Sequence, residues 1–390
     1  MDKDTVIIRE LRPEELDAVR DLGKRAFSLP MGLSMAATVS PQGLVAEDAT
    51  GTIVGVLTLR TASVGDRKLG ILDWGAVDPQ HQSKGIGKAL YDQALVWFRQ
   101  RGCDKAVTTG VDGYNSAVWN PTHSRGLCYW PVSQQIREFG WRWLKLLFVI
   151  PHVIGIGTFI LQAPLNEQKQ PETPATSGIG ALIGVTLFLG FFLLPLSRVR
   201  AVLWRGMVVS DLLVPLNPLA VLVGVGIIAT YMGIRAMAHW LAARALRLPI
   251  TFRLWDTGLI MATFLAAAFS AFVPGLGSSC YARQTRFNYS RARPAMGKIM
   301  LAGVAASLAL LIVFTVFTVC TGMDGGTLGE ITMLGRYVGV SFGITDTLFF
   351  FAPFQALPAG HLWRWRRAVW FVTFACFLGI WLVLPRILLL

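Results

Sequence analysis

Cysteine is scarce and scattered. The five, Cys103, Cys128, Cys280, Cys320 and Cys376, stand far apart and form no CxxC pair, which argues against a zinc knuckle or a disulfide framework. An apolar leader is also missing. The chain opens with the polar Met1-Asp2-Lys3-Asp4, so no cleavable signal peptide is expected. Acidic residues are short in one half only. Residues 1–140 carry 16 basic and 16 acidic side chains, which leaves 20 basic and seven acidic for residues 141–390. The whole formal charge of +13 therefore lies in the second half, which is also the apolar half. That distribution argues against a nucleic-acid partner. Basic loops flanking membrane helices account for it better, through the positive-inside bias and anionic lipid headgroups.

The most informative stretch present is the hexapeptide Gln82-Ser83-Lys84-Gly85-Ile86-Gly87. It follows a strand-like run, Gly70–Val77, and opens a helix-like run from Lys88 to about Gln100. Glycines there let backbone approach a ligand, N–H groups at a helix start lack partners, and the helix dipole favours an anion. Around it the first 130 or so residues read as α/β. Val6–Ile8 is a short strand and Pro13–Phe27 a helix with Pro near its start. Gly43–Glu47 and Thr52–Leu59 alternate about Asp48-Ala49-Thr50-Gly51, a hairpin signal. Ala106–Thr109 is a further strand, and Asn115–Ser124 a broken helical stretch ending at Gly126.

From Trp141 the pattern changes. Apolar runs long enough to span a bilayer occur near 144–163, 178–196, 216–234, 257–275, 297–320, 337–356 and 368–385, and 164–177 reads as a polar, Pro-rich loop. Arg198, Arg200 and Arg205 mark one inside loop, Arg283 to Lys298 another, and Arg364, Arg366 and Arg367 a third. The loop 164–177 has a single Lys and the stretch 321–335 has no Lys or Arg, so both read as outside. The expectation is a multi-pass integral membrane protein with a cytoplasmic N-terminal domain. Arg235, Arg244, Arg247 and Arg253 disagree with simple alternation, so either 235–256 is re-entrant or a further span lies near 200–215. Trp130, Trp141 and Trp143, in the short connection, suit an interfacial anchor.

The order strand–helix–hairpin–strand–Gly-rich loop–helix–strand over residues 5–130 resembles the GNAT acetyltransferase family. Val77-Asp78-Pro79-Gln80-His81-Gln82-Ser83-Lys84-Gly85-Ile86-Gly87 fits that family's V-x-P-x-x-[QR]-x-x-G-x-[GA] pattern along its whole length. The resemblance implies a mixed central sheet flanked by helices, with acetyl-CoA as co-substrate. It implies that backbone around Gln82, Ser83, Lys84, Gly85, Ile86, Gly87 and Lys88 holds the pyrophosphate. Val77 would pair with the pantetheine arm, and Asn115 would contact the cofactor. The family's general-acid Tyr falls on Thr122, beside Pro121. His123, Tyr114 and His81 are the substitutes. Asp73, four residues before Val77 and of the same strand parity, is a candidate base.

Arg235–Arg244, Phe252–Trp255, Gly297–Val304, and Phe350–Gly360 followed by Trp363-Arg364-Trp365 carry a second resemblance: residues 216–385 resemble the membrane core of site-2 (M50) metalloproteases. That family's H-E-x-x-H falls on Arg235, Ala236 and His239, and its later Asp on Pro358. One His cannot hold a hydrolytic zinc, so no metal is expected. Arg235 and Asp346 are expected either to pair near His239 or to snorkel and to line a wet cleft, respectively. The implied domains are 1–135, GNAT-like; 136–215, connecting and first transmembrane segments; and 216–390, protease-like and non-proteolytic. The implied function is a membrane-anchored N-acetyltransferase acting on an amine of a protein, peptide or small molecule, with the lipid bilayer as its other partner. The alternative is a non-catalytic acetyl-CoA sensor coupled to a pseudoprotease half that binds a protein or lipid.

Overall fold

The structure, a computed structural model, describes residues 6–27, 29–110, 127–150, 159–165, 178–197, 218–282, 289–321, 326–350 and 357–388. These residues divide into two compact units, one ending before residue 175 and one beginning there.

The first unit is a seven-stranded mixed sheet. Its strands are β1 (Ile7–Glu10), β2 (Gly43–Glu47), β3 (Ile53–Val64), β4 (Arg67–Val77), β5 (Lys105–Gly110), β6 (Cys128–Tyr129) and β7 (Phe159–Pro164). The spatial order is β1-β2-β3-β4-β5-β7-β6. All neighbours are antiparallel except β4 and β5. That parallel pair needs a crossover, which α3 (Ile86–Gln100) supplies.

The two sheet faces are set by period-2 alternation. On one face Leu11, Val19, Leu22, Met35, Val45, Val56 and Ala76 form a core under α1 (Leu16–Ala26) and α2 (Leu29–Thr38). A second core on that face holds Val64, Leu69, Ile71 and Val107, with Trp130, Phe139, Leu146 and Ile150. The last three come from or follow α4 (Val132–Phe139) and α5 (Trp143–Val149). On the other face α3 comes so close that the sheet presents glycine. A Cβ at Gly70 would sit 2.3 Å from the Phe98 ring, and one at Gly55 2.8 Å from Ile86.

Two expectations change here. The apolar run 144–163 does not form a membrane span. Its first part is α5, and its last part is β7, which pairs with all six residues of β5 from Lys105↔Pro164 to Gly110↔Phe159. Hydropathy reads a buried strand and a membrane segment alike; the unpaired edge of β5 decides between them. The first unit thus runs past residue 135. The Trp cluster also separates. Trp130 is buried against Phe139 and Trp143 packs on the same core, while Trp141 alone is largely exposed.

Among the described residues, the second unit has four helices long and apolar enough to cross a membrane: α6 (Ile179–Ser197), α7 (Pro218–Ala245), the Arg293–Thr321 part of α9 (Tyr289–Thr321), and α12 (Arg367–Leu388). Their outward faces are apolar too, with Leu222, Phe317, Phe371 and Val372 each more than half exposed, as expected of helices that face lipid. The run 257–275 gives only the shorter α8 (Asp256–Phe269), and 337–356 lies partly within α10 (Gly326–Leu348). Residues 250–254 are not re-entrant helix. They form β8 (Ile250–Leu254), paired antiparallel with β9 (Ser278–Ala282). A span near 200–215 falls outside the described residues. The short α11 (Pro358–Trp365) precedes α12.

At the first unit's edge, Arg9 donates to both Glu15 oxygens, at 2.6 and 2.8 Å, and to Glu47 at 2.6 Å, tying β1 to β2. The Arg9 guanidinium holds the Glu15 carboxyl down at about 2, against the opposing pull of burial. The folded value lies below the unfolded one, near 4.5. The stabilisation is therefore complete above about pH 4.5 and is lost as pH falls toward 2. Denaturant unfolding at pH 6, 4 and 3 should show the parent losing stability relative to Glu15→Gln. Parallel losses in both would refute the assignment.

Candidate functional site

The Gly-rich turn starts where β4 ends. Asp78 closes the strand by donating its N–H to Val54 O at 2.8 Å, and its carboxylate accepts from the Gln80 N–H at 3.0 Å. Gln82 donates its side-chain amide back to the Val77 carbonyl at 3.2 Å. The chain then passes through two left-handed residues, Ser83 (φ 67°) and Gly85 (φ 83°). Only glycine takes the second without strain. A Cβ at Gly85 would meet nothing within 4 Å, so the turn's outer side is open. Helix α3 follows at once. Its first ladder bond runs from the Ala89 N–H to the Gly85 carbonyl at 3.0 Å. The N–H groups of Ile86, Gly87 and Lys88 therefore precede the ladder and carry the positive end of the helix dipole.

The side chains divide in role. Gln82, Ser83, Lys84 and Lys88 are exposed, whereas Ile86 is buried. Ile86 pins the helix start to the sheet at Gly55, so only its backbone is available to a ligand.

Beside this turn the sheet opens. The β4–β5 ladder ends at Leu72↔Thr108, where the Thr108 hydroxyl donates to the Leu72 carbonyl at 3.0 Å. From there β4 runs on through Asp73–Val77 without a β5 partner, while β5 continues along β7. The resulting wedge points at the Gly-rich turn. An exposed run of N–H donors with two lysines suits a diphosphate, and an extended strand end beyond its last ladder partner suits a linear amide-bearing arm.

The expectation that Asp73 and Val77 share a face fails. A bulge sets Asp73 and Trp74 opposite Thr58, between the pairs Leu59↔Leu72 and Leu57↔Gly75, and the Trp74 N–H donates to the Thr58 hydroxyl at 3.0 Å. One extra residue reverses the alternation. Val77 faces α3, with its Cγ2 3.8 Å from where a Gly87 Cβ would lie. Asp73 is turned to the opposite face, its side chain 1% exposed, with both oxygens accepting from Arg60. Arg60 also donates to the Ile150 carbonyl at 3.2 Å. Sequence reasoning missed Arg60. The available signals were a lone charge inside the apolar alternation of β3 and the Gly75 that follows the bulge. Tyr114, Asn115 and His123 lie outside the described residues. His81 sits on the turn's short helical segment, Pro79–His81, 3.8 Å from Asp78.

In the second unit, Arg235 of α7 and Asp346 of α10 form a two-pronged ion pair. One N–O contact is 2.8 Å and the other shorter. The carboxylate is fully buried and the Arg side chain 11% exposed. The pairing expected from sequence is therefore formed, and the snorkelling alternative is not. Arg235, Ala236, His239 and Pro358, drawn together by the protease resemblance, line one cleft with Met232, Phe252, Cys280 and Phe342. His239 is buried and neither ring nitrogen has a hydrogen-bond partner among the described residues. α9 passes so closely that a Cβ at Gly303 would overlap its Nε2. Among the described residues no group of three His, Cys, Asp or Glu side chains could hold a metal.

Residues 11–120 match the model of the acetyltransferase (GNAT) family. The chain is 37% identical over 79 residues to a mycothiol acetyltransferase of Propionibacterium freudenreichii subsp. shermanii, a match covering 20% of this chain and 25% of that protein. The chain thus spans about a quarter of that relative. Among solved structures, a GNAT family acetyltransferase from Brucella melitensis in complex with acetyl-CoA is 24% identical, with 32% of this chain and 83% of that one covered at a TM-score of 0.26. A GNAT family N-acetyltransferase from Escherichia coli in complex with CoA is 20% identical, with 41% and 81% covered at a TM-score of 0.27.

The buried pair makes a testable demand. Removing one partner strands a charge in a dry interior, at a cost of about 3–5 kcal/mol, whereas replacing both by apolar groups is often neutral. Arg235→Met and Asp346→Leu should each sharply lower the unfolding transition in detergent. The double variant should recover at least half the loss. Additive losses would show that the pair itself carries no coupling.

Proposed function

We propose that this chain is a membrane-anchored N-acetyltransferase that moves an acetyl group from acetyl-CoA to an amine of a protein, peptide or small molecule. The observation that carries the reading is the junction of the open wedge after Leu72 with the Gly85 turn and the free start of α3. It occurs within the stretch that matches the GNAT family.

When bound, acetyl-CoA supplies an activated acetyl thioester. The chain's own groups would act around it. Backbone N–H groups from Gly85 to Lys88 hold the diphosphate, Lys84 and Lys88 add positive charge, and the β4 end at Val77 pairs with the amide-bearing arm. Asn115 adds a further contact. Proton transfer from the attacking amine and to the leaving thiolate falls to Tyr114 and His123. Asp73, braced by Arg60, contributes a fixed carboxylate to the neighbouring face rather than a group at the Val77 side.

Four helices among the described residues that are able to cross a membrane support a multi-pass protein, and the first unit is read as cytoplasmic, where acetyl-CoA is found. The second unit is read as a protease-like scaffold without metal. Its support is that Arg235, Ala236, His239 and Pro358 line one cleft, with Arg235 neutralised by Asp346.

One observation favours a second reading. The candidate base Asp73 is taken up by Arg60, as suits a unit that binds acetyl-CoA as a sensor without turnover.

Titration of the purified full chain with acetyl-CoA, alongside transfer of labelled acetyl to an amine panel, decides between them. Gly87→Val adds a Cβ at ordinary contact distance from Val77, 3.8 Å, and crowds the α3 start, with an unchanged circular-dichroism spectrum as the check on folding. It should weaken binding at least about tenfold, or 1.4 kcal/mol. Binding with transfer supports the enzyme, and binding without transfer supports the sensor. No binding removes both.

A further inference from the structure

The connection between β6 and β7 carries an apolar face that the fold does not use. Its two helices bury Val132, Phe139, Leu146 and Leu147 in the first unit's core. Their other side remains apolar. Trp141 is 78% exposed, Phe148 67%, Leu144 49% and Ile136 43%. Trp141, Leu144 and Phe148 are spaced i, i+3 and i+7, and so form one line along α5 and the turn before it. Beside that line stand Arg137, Arg142 and Lys145, all exposed. The acid of this segment, Glu138, is already paired with Lys105 at 2.6 Å.

We infer that this face, Ile136 to Phe148, lies on the anionic lipid surface of the membrane that the second unit occupies. The inference goes beyond acetyl transfer and holds whether the first unit is an enzyme or a sensor.

Two observations choose lipid over other occupants. The first is charge. Three exposed cations interleaved with Trp, Leu and Phe match an interface whose headgroups are negative and whose acyl boundary accepts rings. A second copy of the face would set like charges against each other. The second is the tether. Only residues 166–177 separate the last described residue of the first unit, Leu165, from Gly178 at the start of α6. Even fully extended, that chain reaches at most about 47 Å, so a lipid surface is always within the first unit's range.

The test uses the full chain in lipid nanodiscs, without acetyl-CoA, so its outcome is independent of binding and turnover. An environment-sensitive nitrobenzoxadiazole label is placed on Phe148→Cys, in a Cys320→Ser, Cys376→Ser background that removes the two exposed native thiols. Asp17→Cys, on exposed α1, is the control. With brominated lipids that include one-third phosphatidylglycerol, fluorescence at position 148 should be quenched at least twofold more than at position 17. Arg137→Glu, Arg142→Glu and Lys145→Glu together should remove most of that difference. Equal quenching at both positions overturns the proposal. So does shielding of position 148 from aqueous iodide without bromine quenching, because protein then covers the face. Quenching unchanged in purely zwitterionic lipid and in the triple variant also overturns it.

Discussion

Strand β5 has two edges, and each must find hydrogen-bond partners. One edge meets β4 for four residues, from Leu69↔Lys105 to Leu72↔Thr108, and then parts from it. The other meets β7 along its whole length. This second pairing sets the extent of the first unit. It recruits residues 159–164 from an apolar stretch that would otherwise read as membrane, and it places α4 and α5 in the connection between β6 and β7. It also leaves β5 held on its far side, so that β4 can diverge without the sheet unravelling. A wedge between parallel strands is tolerable only if one of them is fully satisfied elsewhere.

The wedge and the Gly-rich turn lie at the same end of β4, and the bulge at Asp73–Trp74 separates their chemistry from the core. Before the bulge, Gly70 and Leu72 alternate with Ile71 and Leu69. After it, Gly75 and Val77 face α3 while Trp74 and Ala76 join the core under α1. A single inserted residue thus lets β4 keep its apolar side packed on both stretches while directing Asp73 to Arg60. The Arg60 link onward to the Ile150 carbonyl joins this part of β4 to the end of α5.

The second unit rests on a different constraint. A carboxylate buried at Asp346 needs a counter-charge and hydrogen bonds, and Arg235 supplies both. Arg235 lines one cleft with His239, which α9 approaches through Gly303. A glycine at that crossing and an ion pair beside it account for how three helices meet around polar groups inside an apolar body.

Much was legible in the sequence, because it was local. The turn at Gly85 follows from a glycine run between a strand and a helix. The four long apolar helices among the described residues follow from hydropathy, and the charge split from counting. For Arg235 and Asp346 the sequence offered pairing and snorkelling alike, and the structure chose pairing. What the sequence left open depended on partners far along the chain. Bilayer and sheet interior exclude water alike, so the apolar stretch 144–163 does not itself say which will bury it; pairing with β5 decided that. Strand parity is a local rule, yet whether it holds through Asp73 and Trp74 depends on register against Thr58, sixteen residues before Trp74 in the sequence. Composition and spacing determined that this chain has a glycine-rich turn opening a helix and a membrane-sized apolar half. Only tertiary pairing decided where the first unit ends and which face Asp73 serves, because backbone hydrogen bonds and buried charges are satisfied by whatever the fold brings to them.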